Sequence, residues 1–197
     1  MSWWDIEQEY AAQGYRMICG ADEAGAGPLA GPVYAAAVIL PFGLEIEGLN
    51  DSKQLSEKKR ESLFGVIQEK AVAWAVNRIE AEEIDATNIL QARLKAMELC
   101  INALDPKADF ALIDGNRDKG IRCPHIAVVK GDAKSANIAA ASILAKVSRD
   151  RYMVEMDKLY PQYGFARHKG YPTKAHKEAV RQYGPCPIHR KTFLKKL

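Results

Sequence analysis

The sequence predicts an α/β fold: a mixed sheet with helices on both faces and a helical appendage towards its C-terminal end. Three observations predict it. Two apolar runs, residues 17–19 and 33–40, are joined by a short turn rich in glycine and proline, which favours an antiparallel pair. Two later apolar runs, 110–113 and 126–129, follow helical segments and can therefore pair parallel. An alanine-rich stretch over 134–160, stopped by Pro161, and a further helical stretch over 173–183 supply the appendage.

Taken in order, residues 2–13 read as a short helix with Trp4 as an anchor against the core. Residues 16–21 and 33–40 are the first two strands, the second too apolar for both its faces to be exposed. Residues 41–49 connect to a polar loop, Asp51-Ser52-Lys53-Gln54-Leu55. Ser56 is placed to cap a helix running to about Lys70, with Glu57 favourable in its first turn and Leu63, Phe64, Val66 and Ile67 turned inward. Val72, Trp74, Val76 and Arg78 alternate with smaller partners and predict a third strand over 71–79. The acidic residues 80–86 read as helical. Thr87 is placed to cap the next helix, in which Leu90, Leu94, Met97, Ile101 and Leu104 share a face until Asp105-Pro106 ends it. The strands over 110–113 and 126–129 run into Asp114-Gly115-Asn116 and Lys130-Gly131-Asp132. In the helix over 134–160, residues 136–145 carry almost no charge and belong in the core, whereas 185–197 read as irregular.

Composition bounds the function. A chain of 197 residues with 48% hydrophobic content suits one catalytic domain over 1–160, with a basic segment over 161–197 packed on it. No run approaches the roughly 18 apolar residues of a membrane span. Residues 1–10 are polar and acidic and lack the basic and apolar regions of a signal peptide, so a cytoplasmic chain off the membrane is expected. Cys19, Cys100, Cys123 and Cys186 show no paired or zinc-binding spacing; the first two are expected as reduced core thiols. The net charge of +3 hides an asymmetry: residues 1–132 carry 14 basic against 21 acidic side chains, and residues 161–197 carry 9 against 1, with three histidines besides. An acidic body beside a basic segment suits a metal site facing a phosphate-bearing polymer. A solvated basic tail is the plainer alternative.

The chemistry concentrates at strand ends. Asp22, Asp114 and Asp132 each follow, or lie within a few residues of, the end of an apolar strand, and Glu23 adds a fourth acid. If those strands are neighbours, the four meet at one edge of the sheet with no Lys or Arg adjacent in sequence to neutralise them. Such a cluster repels itself unless cations bind, and the natural occupants are hard divalent ions with oxygen ligands, Mn²⁺ or Mg²⁺. Two such ions about 4 Å apart can activate a water and stabilise the leaving oxygen of a phosphodiester. Taken singly, each Asp reads better as a turn or capping residue; the recurrence is what points to a metal.

Gly25-Ala26-Gly27-Pro28-Leu29-Ala30 matches the letters of a dinucleotide fingerprint, yet an apolar β-like run follows where that fingerprint needs a helix, and no P-loop lysine is present. Glycines beside acids instead let a ligand come close to the backbone. Lys53 and the run His168-Lys169-Gly170-Tyr171 add cations and an aromatic able to stack on a sugar or base, with Tyr171 equally open to a packing role. Lys174, Lys177 and Arg181 continue the charge.

Together these stretches resemble the signature of the type 2 ribonucleases H, the ribonuclease HII family of bacteria. The resemblance is carried by Asp22-Glu23-Ala24-Gly25 onward through Val33, by Asp51-Ser52-Lys53-Gln54-Leu55, by Ile113-Asp114-Gly115-Asn116, by Lys130-Gly131-Asp132-Ala133-Lys134-Ser135, by the alanine-rich 139–147 and by His168-Lys169-Gly170-Tyr171-Pro172-Thr173, in that order along residues 14–193. It implies a ribonuclease H-like fold, with a five-stranded mixed sheet flanked by helices and a C-terminal helical appendage. It implies endonucleolytic cleavage of RNA in RNA–DNA hybrids on the 5′ side of a ribonucleotide, including a single ribonucleotide embedded in duplex DNA. The products would carry 3′-hydroxyl and 5′-phosphate ends, and a monomer would do the work with Mn²⁺ or Mg²⁺. Matched by position, Asp22, Glu23, Asp114 and Asp132 would be the catalytic, metal-holding acids. Gly25, Ala26 and Gly27 would face the substrate and help read the 2′-hydroxyl through their backbone, Tyr171 would sense the ribo–deoxyribo junction, and Lys53, His168 and Lys169 would contact phosphates. One departure stands out: where the family usually reads Gly-Arg-Gly or Gly-Lys-Gly, Ala26 replaces the cation, which puts substrate affinity in doubt while leaving both glycines intact. A hybrid-binding protein without strong catalysis and another nuclease of the same fold are the alternatives. Metal-dependent cleavage of a hybrid separates the first, and an uncut all-DNA duplex the second.

Overall fold

Strands β1 (Ile18–Ala24), β2 (Val33–Ile39), β3 (Ala73–Ile79), β4 (Phe110–Asp114) and β5 (His125–Val128) form one sheet in the order β3-β2-β1-β4-β5. The structure, a computed structural model, describes residues 2–196. β1 and β3 each pair antiparallel with β2, and β1, β4 and β5 pair parallel, so the sheet is mixed as the connections predict. Two details differ from expectation. β5 is reached from β4 through the loop 115–124 rather than through a helix. β1 runs on to Ala24 because residues 20–24 pair with 34–38 of β2, which places Asp22 and Glu23 inside a strand rather than beyond its end.

Helices cover both faces. α4 (Ile89–Ala103) packs on the side of Cys19, Ala21, Ala35 and Ala37, while α2 (Glu57–Lys70) and α5 (Ala136–Leu159) pack on the side of Ala36 and Val38. The alternation follows from the period-two geometry of a strand buried on both faces. All of 136–145 is buried, as its lack of charge predicts. Small residues in β1, β2 and α5 let helix and sheet approach closely. The limit is at Gly20, where a Cβ would lie 2.2 Å from the Ile138 backbone nitrogen and 2.3 Å from the Asn137 carbonyl carbon. The first turn of α5 is thereby seated on β1 two residues before Asp22.

α1 (Asp5–Ala12) is shorter than the sequence suggests. Trp4 is half-buried, its ring 5.4 Å from that of Phe42. The deeper anchor is Glu7, whose buried Oε1 accepts from Ser135 Oγ (2.5 Å) and Asn137 Nδ2 (3.1 Å) at the start of α5. Burial raises the pKa of this carboxyl, and hydrogen bonds from Ser135 and Asn137 oppose the rise. Ser56 caps α2 as expected, its Oγ accepting from the Lys59 amide. Asn88 caps α4 in place of Thr87: Asn88 Oδ1 accepts from the Gln91 amide at 2.9 Å, whereas the Thr87 hydroxyl donates back to Glu83 in α3 (Ala81–Ala86). On α4, Leu94, Met97 and Ile101 turn inward, with Leu104 just beyond its end, but Leu90 is exposed and its neighbour Ile89 packs on the core instead. β5 starts one residue earlier than expected and Val129 is exposed. The C-terminal part contains the unexpected short α6 (Phe165–His168), then α7 (Lys174–Tyr183), and a 3₁₀ turn over Lys191–Lys196 where the sequence reads as irregular.

The close seat of α5 is testable against an open glycine. Gly20→Ala is expected to destabilise the protein by roughly 1–3 kcal/mol or more, because backbone rather than a movable side chain meets the new methyl. Gly65→Ala, mid-helix in α2 with nothing within 4 Å, is expected to stabilise it by about 1 kcal/mol. Urea unfolding of both variants measures the contrast.

Candidate active site

Parallel pairing sets Ala21 of β1 opposite Ile113 of β4, so Asp22 and Asp114 are the next residues along on neighbouring strands. Asp132 lies in the 3₁₀ turn Gly131–Ala133 that follows β5. Asp114 itself organises that turn: its Oδ1 accepts from the Gly131 amide (2.7 Å) and the Asp132 amide (3.2 Å). Asp22, Asp114 and Asp132 each offer a carboxylate oxygen within 4.8 Å of the others. Asp22 and Asp132 are buried and Asp114 is half-buried.

Glu23 is separate. One residue on from Asp22 in the same strand, it projects to the opposite face of the sheet, towards α4. There Arg93 Nη1 meets Glu23 Oε1 at 3.0 Å. The structure therefore unites three of the four expected acids and sets the fourth alongside. The expectation that no cation neutralises them holds in sequence but not in space: besides Arg93, the Lys53 ammonium reaches Asp132 Oδ2 at 3.1 Å. Both cations come from distant segments, so neither was visible as a sequence neighbour.

The acids are held against their charge. Burial, then the charges of Glu23 and Asp114, push the Asp22 carboxyl well above the usual carboxylate range. Burial and Asp132 raise Asp114. Burial raises Glu23 too, with Arg93 opposing. For Lys53, burial pulls downward, but the hydrogen bond and charge of Asp132 carry it above its ordinary value. A second sign of an unmet demand is Glu23 Oε2, which is buried without a hydrogen-bond partner among the described residues. Three crowded carboxylates, the raised proton affinity of Asp22 and Asp114, and an orphaned carboxylate oxygen nearby fit a hard divalent cation.

The glycine turn beside the acids is pinned from within by two arginines that sequence reading left unnoticed. Arg190 Nε donates to the Gly31 carbonyl (2.9 Å), Nη1 to Ala26 (3.0 Å) and Nη2 to Gly25 (2.6 Å). Arg149 Nε donates to Pro32 (3.1 Å), Nη1 to Lys169 (2.9 Å) and Nη2 to Ala30 (3.1 Å). The helical spacing of Arg149 from buried Ser142 and Ala145 was the one signal that placed it inward. Gly25 has φ +97°, and a Cβ there would lie 2.0 Å from Arg149 Nε, so both conformation and space demand glycine. Gly27 is exposed, and Ala26 is half-buried.

The expected phosphate contacts divide. His168 faces inward: Nδ1 accepts from the Gly170 amide (3.2 Å), which leaves Nε2 to donate to the Tyr163 carbonyl (2.8 Å). Both ring nitrogens are thus engaged with backbone, on the inner side of the turn expected to contact phosphate. The Lys169 ammonium folds back onto the Ala166 carbonyl, and the Lys169 carbonyl serves Arg149. Lys53 stays open, with 75% of its side chain exposed. Tyr171 is exposed, its Cε1 3.8 Å from where a Cβ on Gly27 would be. Beneath that tyrosine, His176 Nδ1 donates to the Tyr171 carbonyl (2.9 Å) and His176 Nε2 meets His189 Nε2 at 3.0 Å. Burial, then His176, pulls His189 down to about 4, so the buried pair is neutral near pH 7.

A model of the family described as Ribonuclease HII matches residues 19–196. The chain belongs to the ribonuclease HII family. It is 56% identical over 189 residues to the Ribonuclease HII of Acetivibrio thermocellus, covering 96% of this chain and 74% of that one. It is 59% identical over 181 residues to that of Vibrio parahaemolyticus, covering 92% and 86%. Among solved structures, the ribonuclease H2 of Pyrococcus horikoshii superposes with a TM-score of 0.77 at 29% identity, covering 92% of this chain and 96% of that one. Membership makes this chain a nuclease, and its five-stranded mixed sheet flanked by helices shares the fold of that ribonuclease H2.

The charge strain in the site has a sign. Because the folded-state pKa of Asp22 is raised, its ionised form penalises the fold above the ordinary carboxylate range, and the penalty fades as pH falls through the raised value towards about 4. In chelator at neutral pH, Asp22→Asn is expected to melt at a higher temperature than the parent, with the gain shrinking on acidification. Melting curves across pH in the absence of divalent ions check it.

Proposed function

We propose that this protein is an endonuclease that cleaves the RNA of RNA–DNA hybrids on the 5′ side of a ribonucleotide, including a single ribonucleotide within duplex DNA, leaving 3′-hydroxyl and 5′-phosphate ends. The observation that carries the reading is the trio Asp22, Asp114 and Asp132, with carboxylate oxygens mutually within 4.8 Å at one end of the parallel strands of a ribonuclease HII chain. The trio, with Glu23 alongside, would hold Mn²⁺ or Mg²⁺, and ions there would supply Lewis acidity to a phosphodiester oxygen and to an attacking water. The protein's own part is positional. β1 and β4 fix Asp22 and Asp114, and Asp114 fixes the turn that carries Asp132. Lys53, largely exposed and tethered to Asp132, would meet a backbone phosphate at the edge of the cluster. Gly27 leaves room for a sugar, and Tyr171 beside it offers a ring for that sugar to pack on. Exposed Arg167, Lys174, Arg181 and Lys191 of the segment 161–197 would form the basic wall of the cleft.

The test is cleavage of a duplex containing one ribonucleotide, with Mn²⁺ and Mg²⁺ in turn. A single cut 5′ of the ribonucleotide is expected, with an all-DNA duplex left intact, and Asp22→Asn, Asp114→Asn and Asp132→Asn should each lower turnover by several orders of magnitude while staying folded. An Asp22→Asn protein with normal turnover would overturn the site. For Tyr171, the alanine variant is expected to lose roughly 1–3 kcal/mol of binding and the phenylalanine variant very little, because the ring rather than the hydroxyl is used. Equal losses in the two variants, read by titration of the same duplex in chelator, would remove the stacking role.

A further inference from the structure

Arg149 and Arg190 are both 0% exposed, yet neither has a carboxylate within ion-pair distance among the described residues. A buried charge without a counter-charge is costly unless dipoles replace the lost water. Here six backbone carbonyls do so, five of them in the turn 25–32. The Arg190 backbone amide adds a bond to the Leu29 carbonyl at 2.8 Å. Nearly every carbonyl of the turn is thus drawn inward.

That direction has a consequence for the other side of each peptide plane. In a trans peptide the C=O and N–H point opposite ways. The Gly25 carbonyl shares its plane with the Ala26 N–H, and the Ala26 carbonyl with the Gly27 N–H. With both carbonyls on Arg190, both amides face away from it. Neither donates to another backbone group among the described residues. They open where Gly27 is exposed, beside the Tyr171 ring.

We propose that Arg190, supported by Arg149, is a positioning residue for substrate recognition: by holding the Gly25 and Ala26 carbonyls inward, it fixes the Ala26 and Gly27 amides as a pair of outward donors to the ribose hydroxyl and adjacent backbone of the substrate. The inference rests on the reading of the protein as a ribonucleotide-directed nuclease. Two adjacent amides held in this way form a small concavity for an electronegative group, and two guanidinium charges beneath it strengthen its field towards a polyanion. Such a device leaves recognition independent of the side chain at 26, where this chain has only a methyl group. It also explains why Arg190, carried on the segment 186–190, is threaded back under a turn near the other end of the sequence.

The test uses Arg190→Lys, which keeps the charge but cannot reach three carbonyls from one nitrogen, with Arg149→Lys as a second variant. In folded protein, the Michaelis constant for a single-ribonucleotide duplex is expected to rise roughly tenfold or more. The rate at saturation should change far less, as should binding of an all-DNA duplex and of Mn²⁺ alone. A purely structural role predicts a lower melting temperature with the ratio of ribonucleotide to all-DNA affinity unmoved, and that result in either variant overturns the proposal. Amide resonances give a readout that needs no variant. In chelator, those of Ala26 and Gly27 in the parent protein are expected to shift on adding the ribonucleotide duplex and to shift less with all-DNA duplex. If they do not move, the proposal is wrong even where both variants fail to fold. A parent protein that leaves the ribonucleotide duplex uncut with either metal defeats instead the functional reading on which this inference stands.

Discussion

Three carboxylate oxygens within 4.8 Å of one another repel, and every part of the chain around them works to keep them there. Asp22 is set by a strand hydrogen-bonded on both sides, and its face is fixed by the seat of α5 at Gly20. Asp114 spends one oxygen on the amides of the turn that presents Asp132, so two acids are coupled through backbone rather than through each other. Lys53 and Arg93 sit at the two flanks, one on each side of the sheet edge. Repulsion of this kind is tolerable only in a frame that does not relax, and the densely packed alanines of β2 and α5 provide such a frame.

The basic C-terminal segment holds its cations in two settings that its charge count merges. Some of its cations are exposed and suit a phosphate backbone. Arg190 is wholly internal, and its guanidinium lies on backbone carbonyls of the glycine turn. The same segment brings His189 against His176, and His176 in turn holds the Tyr171 carbonyl. Tyr171 and the glycine turn are therefore positioned by one connected set of polar contacts, although they lie far apart in sequence. The small bridge between Ala30 and His189 is the seam between them.

Much of the sheet and of the acid site was legible in the residues, and the reasons for the rest are specific. Apolar runs ending in Asp114 and in the turn of Asp132 announced where those acids would stand, because strand ends are local features. The separation of Glu23 from the trio depends on β1 continuing through it, which only pairing with β2 decides. Arg149 and Arg190 escaped notice because a buried arginine satisfied by carbonyls leaves no sequence-local partner to look for, and Arg93 because its carboxylate partner Glu23 lies 70 residues away. The inward setting of the His168 ring was hidden for the converse reason. Next to a lysine and a tyrosine it reads as part of a cationic surface, whereas a turn with Lys169 at φ +51° and Gly170 at φ +83° folds its ring nitrogens onto backbone. Thr87 and Asn88 are both capping types, and only the extended backbone at Asn88 distinguishes them.

The clamp on the glycine turn also imposes an order on biosynthesis. Gly25 and Arg190 are 165 residues apart. At ribosomal elongation rates of about 5–20 residues per second, roughly ten to thirty seconds pass between making the turn and making the side chain that shapes it. During that interval the sheet can begin to form and the acids can approach one another, but the turn beside them has no guanidinium to close on. The turn thus takes its final shape only after segment 186–190 has been made and has folded back beneath it.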